Sequence, residues 1–296
     1  MGKILISFLI LITMNIRIEA QARKVTTNFD YMYKVVPSES NFSWAQHMLD
    51  FYYLRRNTGN LDYGMKFEFQ KQYLTLYDAP KAYTIDDPDE LYRIGVNGSA
   101  SWKMAQQWYL NANVTSLFAS DFKEAIDFSE IQYSGKIFLG IGFGPDTPYQ
   151  KLKVGLGYGI LRERPLLYPF FSYAQSLSKK ITLELGYPHS TLHYRINERH
   201  YLMSTGSFNG EYTNIHLPPN TPNNLPYGTV RLSQYAFDLN IGYHYKIQPQ
   251  WNTVIKIGYL IDNTATINDR HNNILYDLAT DPSVYLSMGI TYKIHN

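Results

Sequence analysis

The sequence contains no cysteine. That excludes a disulfide framework and a cysteine-ligated metal, and it removes the residue on which a lipoprotein anchor is built. Beyond the N-terminus there is no run approaching 18 consecutive apolar residues, so no membrane-spanning helix is expected. An excess of one charge is also missing: 27 Lys and Arg stand against 25 Asp and Glu. A phosphate backbone is bound by a concentrated basic surface, so this balance argues against a nucleic-acid partner. A phosphate-cradling loop is absent as well. The glycines at 140, 142, 144, 155, 157 and 159 fall inside extended segments, and the turn Pro145-Asp-Thr-Pro148 between them leads into no helix.

The chain opens with Met1-Gly-Lys3, an apolar run from Ile4 to Ile16 and the small-residue exit Ala20-Gln-Ala22. This pattern predicts a secretory signal peptide over residues 1–20, too short to span a bilayer. The remainder, 21–296, reads as one domain. It is rich in aromatics, with 27 Tyr and 15 Phe in the whole chain, yet mean hydropathy is negative. An exported chain of this kind is either a secreted β-sandwich or a transmembrane β-barrel.

Alternation decides between helix and strand. Leu61, Tyr63, Met65, Phe67 and Phe69 alternate with Asp62, Gly64, Lys66 and Glu68. Tyr235 to Tyr245 places Ala236, Asp238, Asn240, Gly242 and His244 between apolar or aromatic residues. Val284 to Ile294 repeats the pattern, and in the glycine-bearing pair Ile137, Leu139, Ile141 and Phe143 share one face. The glycines occupy the other face, where they either open a groove in the inner wall or make room for bulky neighbours.

Strands are expected near 25–36, 44–54, 61–74, 91–102, 108–118, 131–143, 151–160, 167–177, 181–187, 191–196, 201–213, 231–246, 251–260 and 283–294. The fold class is therefore all-β: a transmembrane antiparallel up-and-down β-barrel of 14 strands, or 12 if 25–36 and 191–196 are not strands. Connection lengths segregate as such barrels require. The even-numbered connections are short and turn-like, including Ser178-Lys-Lys180 and Gln248-Pro-Gln250, whereas the long ones are all odd-numbered. Both termini and the short turns then face the periplasm of a Gram-negative bacterium. Trp44, Trp102, Trp108 and Trp251 sit near strand ends and are expected at the membrane interfaces. A soluble sandwich of this length would need two domains or an oversized sheet pair.

Tyr168-Pro-Phe-Phe-Ser-Tyr173, Leu183-Glu-Leu-Gly-Tyr-Pro-His-Ser190, Tyr194 and Asn197-Glu198 resemble an uncharacterised family of Bacteroidetes outer-membrane β-barrels. The resemblance implies an outer-membrane barrel and no chemistry, because that family has no assigned catalytic or binding residues. Such barrels usually end on an aromatic residue read by the insertion machinery. This chain ends Tyr292-Lys-Ile-His-Asn296, with Tyr292 in that role.

No catalytic, metal or cofactor site stands out. His189 and His193 have the spacing of a helical metal pair, but they lie in a strand-rich region beside Pro188. No local signature joins a serine to a histidine as an outer-membrane hydrolase requires. Arg162-Glu-Arg164 reads as a solvated charged loop. The residues expected to line the lumen are Lys66, Glu68, Arg93, Lys136, Gly142, Lys153, Gly157, Glu184, Asp238, Asn240 and Lys256. Charges on that face require water or partners: they bracket a polar pore or zip into salt bridges that close it. The leading expectation is a passive or weakly selective channel for small polar solutes, without enzymatic activity or cofactor. The alternatives are a closed barrel whose outer loops bind a ligand or partner, and a barrel hydrolase. The expected partners are outer-membrane lipid and the barrel-insertion machinery.

Overall fold

The computed structural model describes residues 25–37, 42–56, 59–76, 90–123, 130–143, 150–161, 164–217, 228–269, 271–278 and 280–295. The expected signal peptide, residues 1–20, lies outside them, as do Gly144 and most of Arg162-Glu-Arg164. The strands are β1 (Val25–Val36), β2 (Phe42–Arg56), β3 (Leu61–Leu76), β4 (Glu90–Lys103), β5 (Trp108–Ser120), β6 (Ile131–Phe143), β7 (Gln150–Ile160) and β8 (Pro165–Ser176). They continue with β9 (Ile181–Tyr187), β10 (His189–Arg195), β11 (His200–Leu217), β12 (Gly228–Lys246), β13 (Trp251–Asn268), β14 (Ile274–Asp277) and β15 (Ser283–His295).

Each strand from β1 to β13 pairs antiparallel with the next, β13 pairs with β15, and β15 returns to β1. β14 only folds back on β13. The wall is thus a closed barrel of 14 strands. The 12-strand alternative falls, because β1 is paired on both edges and so is β10.

The alternation places apolar side chains outward all round. Phe67, Ile94, Val114, Ile137, Val154, Leu239, Ile255 and Leu286 are exposed to the barrel exterior, where hydrocarbon rather than water is the favourable surrounding. Aromatic rings edge this band. At the short-turn end Trp102 and Trp108 face outward, Trp251 packs on Tyr292 with centroids 4.5 Å apart, and His200 stacks on Tyr245. At the other end His47 packs with Tyr33 and Tyr73, and Phe122 with Tyr92 and Phe118. Trp44 does not belong to either belt. It shares its face with Gln46 and Met48, lies under the Lys34 Nζ and packs against the buried interior cluster. Its position in the alternation of β2, not its residue type, fixes its direction.

The glycines serve packing at several levels of the wall. Cβ atoms added at Gly140, Gly157 and Gly258 would stand 2.2, 2.3 and 2.3 Å from the rings of Tyr109, Tyr168 and Tyr285. In each case the tyrosine is the directly paired residue on the next strand. A missing side chain lets the ring lie against the backbone instead of projecting across the lumen. Gly142 differs: its nearest neighbour would be a carbonyl 4.0 Å away, so space is open there.

Candidate functional site

The interior is built from inward residues of nearly every strand. Lys66 holds Asp50 at 3.1 Å and Glu68 at 2.8 Å, and Lys153 holds Glu184 at 2.8 Å. Ser172 also donates to Glu184. Arg93 is ion-paired with Glu211. Asp238 accepts from the Tyr285 hydroxyl at 2.8 and 3.0 Å and from Asn240 at 3.0 Å, with the Lys34 ammonium 3.8 Å away. That Lys34 ammonium sits 4.0 Å from the centre of the Tyr285 ring. Gly258 therefore acts at one remove: it seats Tyr285, which orients the carboxylate that Lys34 faces.

The residues expected in the lumen alternate with the exposed apolar residues of their strands. Lys66, Glu68, Arg93, Lys153, Glu184 and Asp238 are in ion pairs. Lys136 lies 5.3 Å from the Phe170 ring. Among the described residues, neither Lys136 nor Lys256 makes an ion pair within 4.0 Å. Gly157 is covered by Tyr168, whereas Gly142 borders open space. Sequence reasoning missed Lys34, Tyr285 and Glu211. Their inward position in the alternation was the available signal for the first two; Glu211 lies near the end of the expected strand 201–213.

Backbone pairing at the long-loop end is unusual. β9 and β10 have only 7 residues each, whereas β11 has 18. Their hairpin stops partway up the wall: β8 is paired with β9 only from Phe171 on, and β10 meets β11 no higher than Ser207. β11 continues past that point without a β10 partner, and buried backbone groups must find partners elsewhere. It finds them across the lumen. Asn214 pairs with Ser120 in a parallel bridge, and the Asp121 N–H donates to the Asn214 carbonyl at 3.2 Å. Gln132 donates to the Tyr212 carbonyl at 2.9 Å. Asp121 accepts the His216 backbone N–H at 2.9 Å and contacts its Nδ1 at 2.6 Å, while Glu130 lies 3.2 Å from Nε2. All three side chains are buried.

Behind this bridge, Leu74, Leu91, Ile215, Val230, Leu232, Ala265 and Ile267 form an apolar core inside the end of the barrel. Their burial removes several large side chains from water, at about 1.5–3 kcal/mol each. This core lies inside the long-loop end of the barrel, next to the bridge from β11 to β5. Beneath it lies a chamber of about 320 Å³ bordered by Lys34, Trp44, Gln46, Gln70, Glu211 and Gln234. A second cavity of about 170 Å³ lies toward β8 and includes Arg93, Gln132, Tyr168 and Leu161. Ile160 and Gly210 border both.

Among the described residues no group of three or more His, Asp or Glu is arranged to hold a metal. His189 and His193 are four strand residues apart, roughly 13 Å, too far to share an ion.

A search of curated proteins finds no match. Solved structures with a similar fold include an outer-membrane channel from Pseudomonas putida F1, at 6% identity and TM-score 0.45, covering 93% of this chain and 96% of that one. The NanC porin is similar at 9% identity and TM-score 0.42, covering 90% of this chain and 100% of that one. The translocator domain of the autotransporter NalP from Neisseria meningitidis is similar at 9% identity and TM-score 0.39, covering 98% and 95%. At the level of sequence the match is to a family described as a domain of unknown function, DUF6268, over residues 55–293, from the end of β2 to the last strand; the chain belongs to that family.

Proposed function

We propose that this barrel is a channel for small polar solutes in the outer membrane of a Gram-negative bacterium. Residues 1–20 direct export, and the insertion machinery places the barrel with its short turns in the periplasm. The Bacteroidetes are the group that the Tyr168–Tyr173 and Leu183–Ser190 segments indicate. The observation that carries the channel reading is the unfilled chamber of about 320 Å³ behind Lys34, Gln46, Gln70 and Gln234. A barrel of about eight strands is just filled by its side chains, and one of ~14 has room to spare. The ion pairs along the wall leave the chamber polar but nearly balanced, which suits a weakly selective path. In this reading the bridge from β11 to β5, together with the apolar core beside it, restricts that path along the axis.

Planar-bilayer recording from the purified protein tests the reading: discrete current steps are expected. A well-folded protein that passes no current overturns it. A closed barrel presenting its outer loops to a ligand is the second reading, favoured by the apolar core inside the long-loop end.

A further inference from the structure

Above the short β9–β10 hairpin β8 and β11 continue with no strand paired between them among the described residues, which leaves a notch in the paired wall. The edge of β8 is built for it. The Phe171 carbonyl stands 2.5 Å from where a Gly186 Cβ would be, so the backbone groups of Phe171 point toward β9. Residues two apart in a strand point their backbone groups the same way. Pro169 and Pro165 therefore offer this open edge no N–H, and only Leu167 retains a donor there. Proline removes two of the three donors of this edge, while the carbonyls of Pro165, Leu167 and Pro169 remain on it as acceptors.

The notch is level with lipid-facing wall. Leu167 is 66% exposed, and its partner Tyr158 and the neighbouring Leu156 also face outward. Immediately inside lies the cavity of about 170 Å³, with Tyr168 and Leu161 on one side and the Arg93 guanidinium on another. Ile160 and Gly210 line both this cavity and the chamber, while Arg93 lines the cavity and its ion-pair partner Glu211 the chamber. The Arg93–Glu211 pair thus links a residue lining the smaller cavity to one lining the chamber.

We propose that the outer opening of the path lies in this notch. It admits a molecule bearing a carboxylate on an apolar chain from the surrounding lipid, and the Arg93–Glu211 pair is the gate that molecule displaces. The apolar chain suits the lipid-side entrance, and the incoming carboxylate takes the place of Glu211 on the guanidinium, a match of planar charge and geometry. This rests on the reading of the barrel as a solute channel, but puts an amphiphilic carboxylate entering from lipid in place of the small polar solute of that reading.

The test uses Trp44, which borders the chamber, in the full chain carrying Trp102→Phe, Trp108→Phe and Trp251→Phe. The probe is 12-bromododecanoate, with a brominated dodecyl-trimethylammonium as the cationic control. Saturable quenching of Trp44 by the anion alone is expected. Arg93→Gln should weaken the anion's half-saturation about tenfold, the usual scale for losing a charge-assisted hydrogen bond. Glu211→Gln frees Arg93 and should tighten it several-fold. A merely structural ion pair predicts that both substitutions weaken the response, and that outcome overturns the proposal. So does equal quenching by the cation, or none by the anion. Ion conductance without Arg93-dependent quenching overturns the portal and leaves the channel standing. Arg93-dependent quenching in a protein that passes no current supports the portal and overturns the conducting route.

Discussion

Gly157 and Gly142 lie on the same inner face of two paired strands, yet their replacement by alanine should have opposite effects. A Gly157 Cβ would stand 2.3 Å from the Tyr168 ring, well inside contact distance, while a Gly142 Cβ would meet nothing closer than 4.0 Å. Neither glycine has a left-handed backbone conformation, so alanine brings no torsional penalty at either site. Gly142→Ala should then be neutral or stabilising by up to ~1 kcal/mol, since glycine is the entropically costlier residue in a strand. Gly157→Ala should cost about 1–3 kcal/mol, because the Tyr168 ring must leave its seat. Equilibrium unfolding in urea, with the barrel in lipid vesicles and tryptophan fluorescence as the signal, measures both. A double-mutant cycle with Tyr168→Ala locates the cause: without the ring, Gly157→Ala should cost nothing, giving a coupling of about 1–3 kcal/mol. Equal effects at 142 and 157, or strict additivity with Tyr168→Ala, would refute the seat argument.

Three further outcomes follow from the same geometry. Leu239 is exposed to lipid and Asn240 bonds to Asp238 inside, so Leu239→Arg should cost ~2–4 kcal/mol near the midplane, and Asn240→Arg should cost less in the same unfolding assay. Asp121→Ala removes both contacts to His216 and should raise the open probability in bilayer recordings; unchanged gating would show that the β11 bridge is no closure. Lys136 and Lys256, on the inner face, make no ion pair within 4.0 Å among the described residues. A slight anion preference is therefore expected in reversal potentials, fading as salt rises from 0.1 to 1 M and the screening length falls from about 10 to 3 Å.

The alternation in the sequence was sufficient to find every strand of the wall, because a barrel strand has one face in lipid and one in a polar interior, and the period of two is enforced along its whole length. It was silent wherever that enforcement lapses. β13 runs on to Asn268, but the pairing with β12 slips between Tyr235 and Phe237, and Asp262 adopts a left-handed backbone there. The inward set passes from Leu260 to Ala265 and Ile267, and the readable pattern ends at the slip. Trp44 misled for another reason. A tryptophan is amphipathic, and only its register with Gln46 and Met48 shows that it points inward. The notch was hidden because pairing length, not composition, makes it. Tyr187-Pro-His189 reads as a turn whether the neighbouring strands continue above it or stop.

β9 and β10 end below their neighbours, so β8 presents a proline-edged rim, and the upper part of β11 pairs with β5 instead. Lengthening the hairpin should then undo both together. Four alternating residues inserted on each side of Pro188, combined with Pro169→Val to restore a donor, would offer partners to β8 and to the upper half of β11. The bridge from Asn214 to Ser120 would lose its backbone rationale, and β11 could return to the wall. The expected result is a larger conductance through a wider long-loop mouth, together with loss of the Arg93 dependence of Trp44 quenching, since the lipid-side entrance is sealed. If instead the extended hairpin leaves conductance and quenching unchanged, pairing length is not what bends β11. The restriction would then have to be assigned to the buried Asp121, Glu130 and His216 cluster and the apolar core beside it.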